Sequence, residues 1–171
     1  MIIGLAGYAQ SGKDTFASIL VEKYGFTRLA FADKVRELAL EIRPSLRTPY
    51  GVEDWDELKK EESVRELLQD LGLGVRKVIG SNTWVDLVME QIIDDEQNVV
   101  ITDVRFPNEV QAIKAAGGKV GRISRPGVNA VNDHYSEHAL ANVALDFAIE
   151  NDGDLNDLNE VVEFALREWS K

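Results

Sequence analysis

"GYAQSGKDT", residues 7–15, decides how the rest of the chain is read. Gly7 and Gly12 stand five positions apart and Lys13 follows, which is the G-x-x-x-x-G-K spacing of a phosphate cradle. The glycines let the backbone bend inward. The N–H groups of Ala9, Gln10, Ser11, Gly12, Lys13 and Asp14 can then turn toward a phosphate chain, with the positive end of a following helix behind them. Lys13 would reach the β- and γ-phosphates and stabilise charge as the phosphoryl group moves. One position departs from the pattern: Asp14 stands where a hydroxyl residue usually supplies Mg²⁺, and Thr15 comes one step later. Three roles stay open. Thr15 takes over the metal contact, Asp14 binds a metal-bound water, or Asp14 only favours the helix N-terminus electrostatically. Ser11 is a further candidate phosphate contact.

The flanks supply the context that such a motif needs. Residues 2–6 are short and apolar and predict a buried strand, while residues 14–24 place Phe16, Ile19, Leu20 and Lys23 at helical spacing before Gly25. Further along, the pattern predicts strands over 27–32, 99–102, 119–123 and 146–150. It predicts helices over 34–42, 61–78, 83–93, 108–116, 137–141 and 155–169. Asp33 reads as the cap of the 34–42 helix, residues 43–59 read as irregular, and Gly72 and Gly74 allow a kink or break in the 61–78 helix. The alternation is α/β, with a mostly parallel sheet covered by helices on both faces.

The length of 171 residues fits one domain over residues 1–171. Cysteine is absent, which excludes disulfides and thiolate metal sites. The formal charge of −11 repels a nucleic-acid backbone, so long DNA or RNA is not an expected partner. The start carries no signal-peptide pattern, and no apolar run approaches the ~18 residues of a membrane span. A cytoplasmic protein with small-molecule partners and no membrane partner is expected, and a homodimer stays open.

The second informative stretch is "VVITDVRFPNE", residues 99–109. Asp103 ends its apolar strand, where a Walker-B-like carboxylate holds a magnesium-bound water. Arg105 follows two residues later and points toward the same cleft; a structural Asp–Arg pair is the alternative.

Together "GYAQSGKDT", "FADKVRELA", "LLQDLG", "DVRFPNE", "HYSEHAL" and "AIENDGDLNDL" make nearly the whole chain resemble the deoxynucleoside monophosphate kinases of tailed bacteriophages. These belong to the adenylate-kinase-like clan, and animal phosphomevalonate kinases carry a similar cradle. The resemblance implies a three-layer P-loop fold and transfer of the ATP γ-phosphoryl group to a deoxynucleoside monophosphate, with Mg²⁺. It implies a helical acceptor-binding region over about 33–95 and a short lid over about 124–137. Asp33 then lies near acceptor and metal, with the helix-cap reading beside it. Arg36, Arg65, Arg76 and Arg105 become acceptor clamps, guanidinium groups being well matched to a phosphate dianion. Arg65 and Arg76 are eleven residues apart, hence on one helix face. Gln69 is a candidate reader of a base edge. Phe31 and Trp84 are candidate stacking walls, with helix packing as the alternative for Trp84. Arg125 opens the lid and is the preferred catalytic arginine, Arg122 is structural, and His134 fixes the loop. Asn151 and Gly153 lie beside the donor adenine by resemblance, and read by themselves as a turn before the last helix.

No general base needs to be assigned, because positioning and charge stabilisation carry phosphoryl transfer. The rivals are a phosphomevalonate or dephospho-coenzyme A kinase sharing the cradle, and a nucleotide-binding protein without acceptor-dependent turnover. A guanine-reading N-K-x-D string is absent, which argues against a GTPase.

Overall fold

The computed structural model describes residues 1–47, 54–92, 97–130 and 135–169. Among the described residues five strands form one sheet: β1 (Ile2–Ala6), β2 (Thr27–Leu29), β3 (Val99–Ile101), β4 (Lys119–Ser124) and β5 (Phe147–Glu150). Their order is β2-β3-β1-β4-β5 and every pairing is parallel. The helices are α1 (Lys13–Tyr24), α2 (Phe31–Ile42), α3 (Trp55–Leu58), α4 (Glu62–Val78), α5 (Thr83–Met89), α6 (Pro107–Ala115), α7 (Tyr135–His138) and α8 (Leu155–Trp169), with a 3₁₀ turn at Pro44–Leu46.

The chain divides into two compact units, residues 1–30 with 91–171, and residues 31–90. In the first, successive β1 residues serve opposite faces. Ile3 and Leu5 pack with Phe16 and Leu20 of α1 and with Leu158 and Val162 of α8. Gly4 faces the other way, against α6, where a Cβ would stand 2.8 Å from the Ile113 side chain. Burial on both faces explains why β1 and β3 read as short apolar runs rather than alternating ones. The connections leaving β1 and β3 run to opposite sides of the sheet, which leaves a crevice at the carboxyl ends of these strands, where ligands bind in open α/β sheets.

In the second unit α2 packs on α4 and α5, and Phe31, Val35, Ala39, Val64, Trp84, Val85 and Val88 are buried. Three expectations change here. The helix expected from Lys34 begins at Phe31, and β2 stops at Leu29. Phe31, Val35 and Ala39 are the buried residues of α2, one turn apart, so the helical period claims Phe31. Asp33 is therefore a first-turn residue and not the cap. The stretch read as irregular contains the 3₁₀ turn and α3. Finally, α4 runs unbroken through Gly72 and Gly74: its amphipathic face outweighs the roughly 1 kcal/mol that each glycine costs. Among the described residues no helix is long and apolar enough to cross a membrane.

Candidate active site

The cradle leaves β1 at Ala6 and enters α1 at Lys13. Three of its residues have positive φ: Gly7 at 141°, Gln10 at 65° and Gly12 at 103°. At Gly7 a side chain would overlap the Ile123 carbonyl oxygen, so the strand β4 behind the loop admits only glycine there. Gly12 precedes α1 in a left-handed conformation, and no side chain caps this helix. The first-turn N–H groups, which have no intrahelical acceptor, therefore face the loop. Lys13 is 8% exposed, and its Nζ donates to the Tyr8 carbonyl at 2.7 Å. Ser11 is 1% exposed and its hydroxyl has no partner, an arrangement that calls for a ligand or an explanation. Asp14 and Thr15 are exposed in the first turn of α1, and Ala9 and Gln10 are exposed on the loop.

One strand away, β3 pairs with β1 in the register Ile2↔Val99 to Gly4↔Ile101. The chain leaves the regular ladder after Ile101, the Val104 N–H donates to Leu5 O at 3.1 Å, and Asp103 follows the carboxyl end of β3, one strand from the cradle. Arg105 follows, its backbone N–H donating to Glu109 Oε2 at 2.7 Å; the Phe106 N–H donates to the same oxygen at 2.9 Å. Glu109 is 1% exposed and, at N3 of α6, its carboxylate accepts both N–H groups that lead into the helix. Gly7, Ser11, Arg105, Arg122, Arg125 and Ser136 line one cleft. Three guanidinium groups thus gather in a protein of charge −11. Arg122 Nη2 donates to Leu140 O at 2.8 Å, a structural tie, whereas Arg125 is exposed just beyond β4. Residues 131–134 of the expected lid, His134 included, lie outside the described residues.

A family model for deoxynucleotide monophosphate kinases matches residues 51–162. A protein of Acanthamoeba polyphaga mimivirus that carries the same family's name is 32% identical over 164 residues, 84% of this chain and 83% of its own length. The chain belongs to the deoxynucleotide monophosphate kinase family. It is therefore an ATP-binding phosphotransferase that passes a phosphoryl group to deoxynucleoside monophosphates. The enzyme of Escherichia phage RB69 is 33% identical over 110 residues, 61% of this chain but only 45% of the phage protein. Among solved structures, dephospho-CoA kinase from Campylobacter jejuni superposes with a TM-score of 0.52 at 18% identity, covering 98% of this chain and 96% of that one. Shikimate kinase from Aquifex aeolicus gives 0.50 at 15% identity, with 98% and 97% covered. These two share the fold.

The kinase keeps most of its expected acceptor residues in the 31–90 unit. Arg36 Nη1 donates to Asp33 Oδ1 at 2.6 Å, its guanidinium lies 5.8 Å from the Trp55 ring centroid, and its buried Nε has no partner. Trp55 carried no sequence signal, because its segment read as irregular. Arg65 and Arg76 do share a face of α4, yet they diverge. Arg65 Nη2 donates to Lys59 O at 2.9 Å, before the helix, and Arg76 Nη1 donates to Ser81 O at 2.9 Å, beyond it. Eleven residues of helix set their backbones about 16 Å apart. The structure does not bring these two arginines together. Gln69 is half-buried between them. Phe31 at 3% exposure and Trp84 at 4% are packed inside, and Trp84 Nε1 donates to Gly72 O at 3.0 Å. Neither ring, as placed here, offers a face to a base, which corrects the stacking expectation.

Asn151 and Gly153 sit in the turn between β5 and α8. Asn151 is 7% exposed and its Nδ2 donates to the Ser11 carbonyl at 3.0 Å, a contact across 140 residues that no local pattern announces. At Gly153 a side chain would overlap the Asp157 carboxylate, which accepts from the Asp154 N–H at 2.7 Å where α8 begins.

Proposed function

We propose that the Gly7–Thr15 cradle holds the ATP phosphates and that Lys13 and Arg125 act on the γ-phosphoryl group during transfer. We further propose that Asp33, Arg36, Arg65, Gln69 and Arg76 serve the deoxynucleoside monophosphate. The observation that carries this reading is the uncapped N-terminus of α1 behind a buried, partnerless Ser11 hydroxyl, with three arginines on the cleft beside it. An anion would satisfy the N–H groups of that helix end and the Ser11 hydroxyl, with guanidinium charge at hand. Arg105 lies on the same cleft as Ser11 and Arg125, which favours contact with the moving phosphoryl group over the acceptor's far side.

The donor set also fits Mg²⁺. Thr15 and Asp14 on the first turn of α1 and Asp103 beyond the carboxyl end of β3 offer hard oxygen atoms, and Mg²⁺ takes one or two protein oxygens together with phosphates and waters. Bound there, Mg²⁺ would neutralise charge on the β- and γ-phosphates. Charge −11 further supports small nucleotides as the partners rather than polymeric nucleic acid.

A coupled assay for ADP tests the reading, with ATP, magnesium, and a panel of deoxynucleotides, ribonucleotides, phosphomevalonate and dephospho-coenzyme A. ADP formation should depend on an added deoxynucleoside monophosphate and on magnesium. Turnover with phosphomevalonate and with no nucleotide acceptor would overturn the assignment.

A further inference from the structure

We propose that Asn151 is a positioning residue for the cradle. By holding the Ser11 carbonyl it aims the Gly12 N–H at the phosphate chain, and it does so without reading the nucleobase. The inference rests on the cradle being the phosphate site.

One peptide plane joins Ser11 to Gly12. In a trans peptide the C=O of one residue and the N–H of the next point to opposite sides, and no cis bond occurs among the described residues. Asn151 Nδ2 fixes the Ser11 oxygen at 3.0 Å in a buried contact. The Gly12 N–H must then point away from Asn151. The orientation of the amide is set by chemistry, because a carbonyl only accepts and only the amide nitrogen can donate to it. The clamp itself is anchored: the Asn151 backbone N–H donates to Ser124 O at 2.8 Å, prolonging the pairing of β5 with β4.

Two further observations show that the loop needs the clamp. The Ser11 side chain holds nothing, since its hydroxyl is buried and partnerless, and the Ser11 N–H reaches Tyr8 O only at 3.3 Å. Gly12 is also shaped to Asn151, because a Cβ at position 12 would overlap Nδ2. Glycine there meets two demands at once, a left-handed backbone and room for the amide.

A base contact and a backbone clamp differ in what they do to a ligand without a base. Binding of inorganic tripolyphosphate and of ATP is measured by calorimetry for the parent, Asn151→Ala and Asn151→Leu, the last keeping the bulk but losing the donor without adding charge. Both ligands should weaken by the same factor, roughly ten- to a hundredfold, the scale of one lost hydrogen bond to a charged group. The ATP-to-GTP preference should stay constant. Weakening of ATP with tripolyphosphate unchanged would overturn the proposal in favour of a base contact, and no weakening of either would overturn it in favour of a purely structural role. A parent protein that binds ATP but not tripolyphosphate would instead count against the cradle reading itself. One measurement needs no variant: the Gly12 amide resonance of the parent should move downfield on adding tripolyphosphate, and an unmoved resonance overturns the proposal.

Discussion

The cradle and the 31–90 unit, proposed above as the donor and acceptor sides, are built from opposite materials. The cradle presents main-chain groups: glycines at fixed φ, an uncapped helix end and a carbonyl tied down from β5. The 31–90 unit presents side chains, and each of its three arginines in question is engaged within that unit, with Asp33, Lys59 O or Ser81 O. A site made of backbone is preorganised by the fold. A site made of long side chains must exchange internal partners for its ligand, and it carries the entropy of ordering them. The donor side should therefore answer to single substitutions sharply and the acceptor side by increments.

The largest effect should come from Lys13→Ala. The variant should fold, and its transition-state stabilisation should fall by about 3–4 kcal/mol, the scale of one lost oxyanion donor. Steady-state kinetics measure it, and a rate within twofold of the parent would erase the contrast between the two sites. The next effect belongs to the 31–90 unit and concerns stability. Trp84→Phe removes the indole donor to Gly72 O, leaving a carbonyl under a buried ring without that partner. Unfolding should become easier by about 1–3 kcal/mol in denaturant titration. ATP affinity should hold, because the change is confined to residues 31–90. A matching loss of ATP binding would mean that the two units act as one.

The smallest effect lies in the sheet unit away from the cradle. Asp146 accepts from the Val120 N–H at 2.8 Å and pairs with Lys114 at 2.9 Å. Burial pushes its carboxyl up, but the Val120 N–H, Lys114 and the Lys119 charge outweigh that and hold it below its usual value. A depressed carboxylate lends stability above its unfolded pKa and loses it as pH falls through the folded one. Stability of the parent should thus exceed that of Asp146→Asn near neutrality and converge on it below about pH 4. Melting curves across that range check the sign; a gap that widens in acid would contradict it.

What the sequence made legible follows the same division. The β1–cradle–α1 unit could be read because its signals are local: an apolar run, glycines at fixed spacing, a helical period. The "VVITD" strand was legible for the same reason. The β2–α2 junction misled because "TRLAFA" alternates like a strand, while the burial of Phe31, Val35 and Ala39 obeys the helical period. Trp84 and Phe31 looked like stacking walls because an aromatic residue's type does not say which way it faces. The Asn151–Ser11 contact and the buried Glu109 cap escaped because one spans the chain and the other replaces the usual hydroxyl N-cap with Phe106. Arg65 and Arg76 show the limit of periodicity, which fixes a shared face and says nothing of the direction in which long side chains reach.

The separation of Ser11 from its tether has a consequence for how the protein comes into being. A ribosome delivers the cradle first, and at roughly 5–20 residues per second the partner of the Ser11 carbonyl follows on the order of ten seconds later. Until β5 arrives, the loop has its glycines and its lysine but not the contact that sets the Ser11–Gly12 peptide. A nascent chain halted before Asn151 would hold nucleotide weakly, and competence would appear abruptly as β5 joins the sheet. The motif between β1 and α1 is thus completed by a residue 140 positions further along the chain.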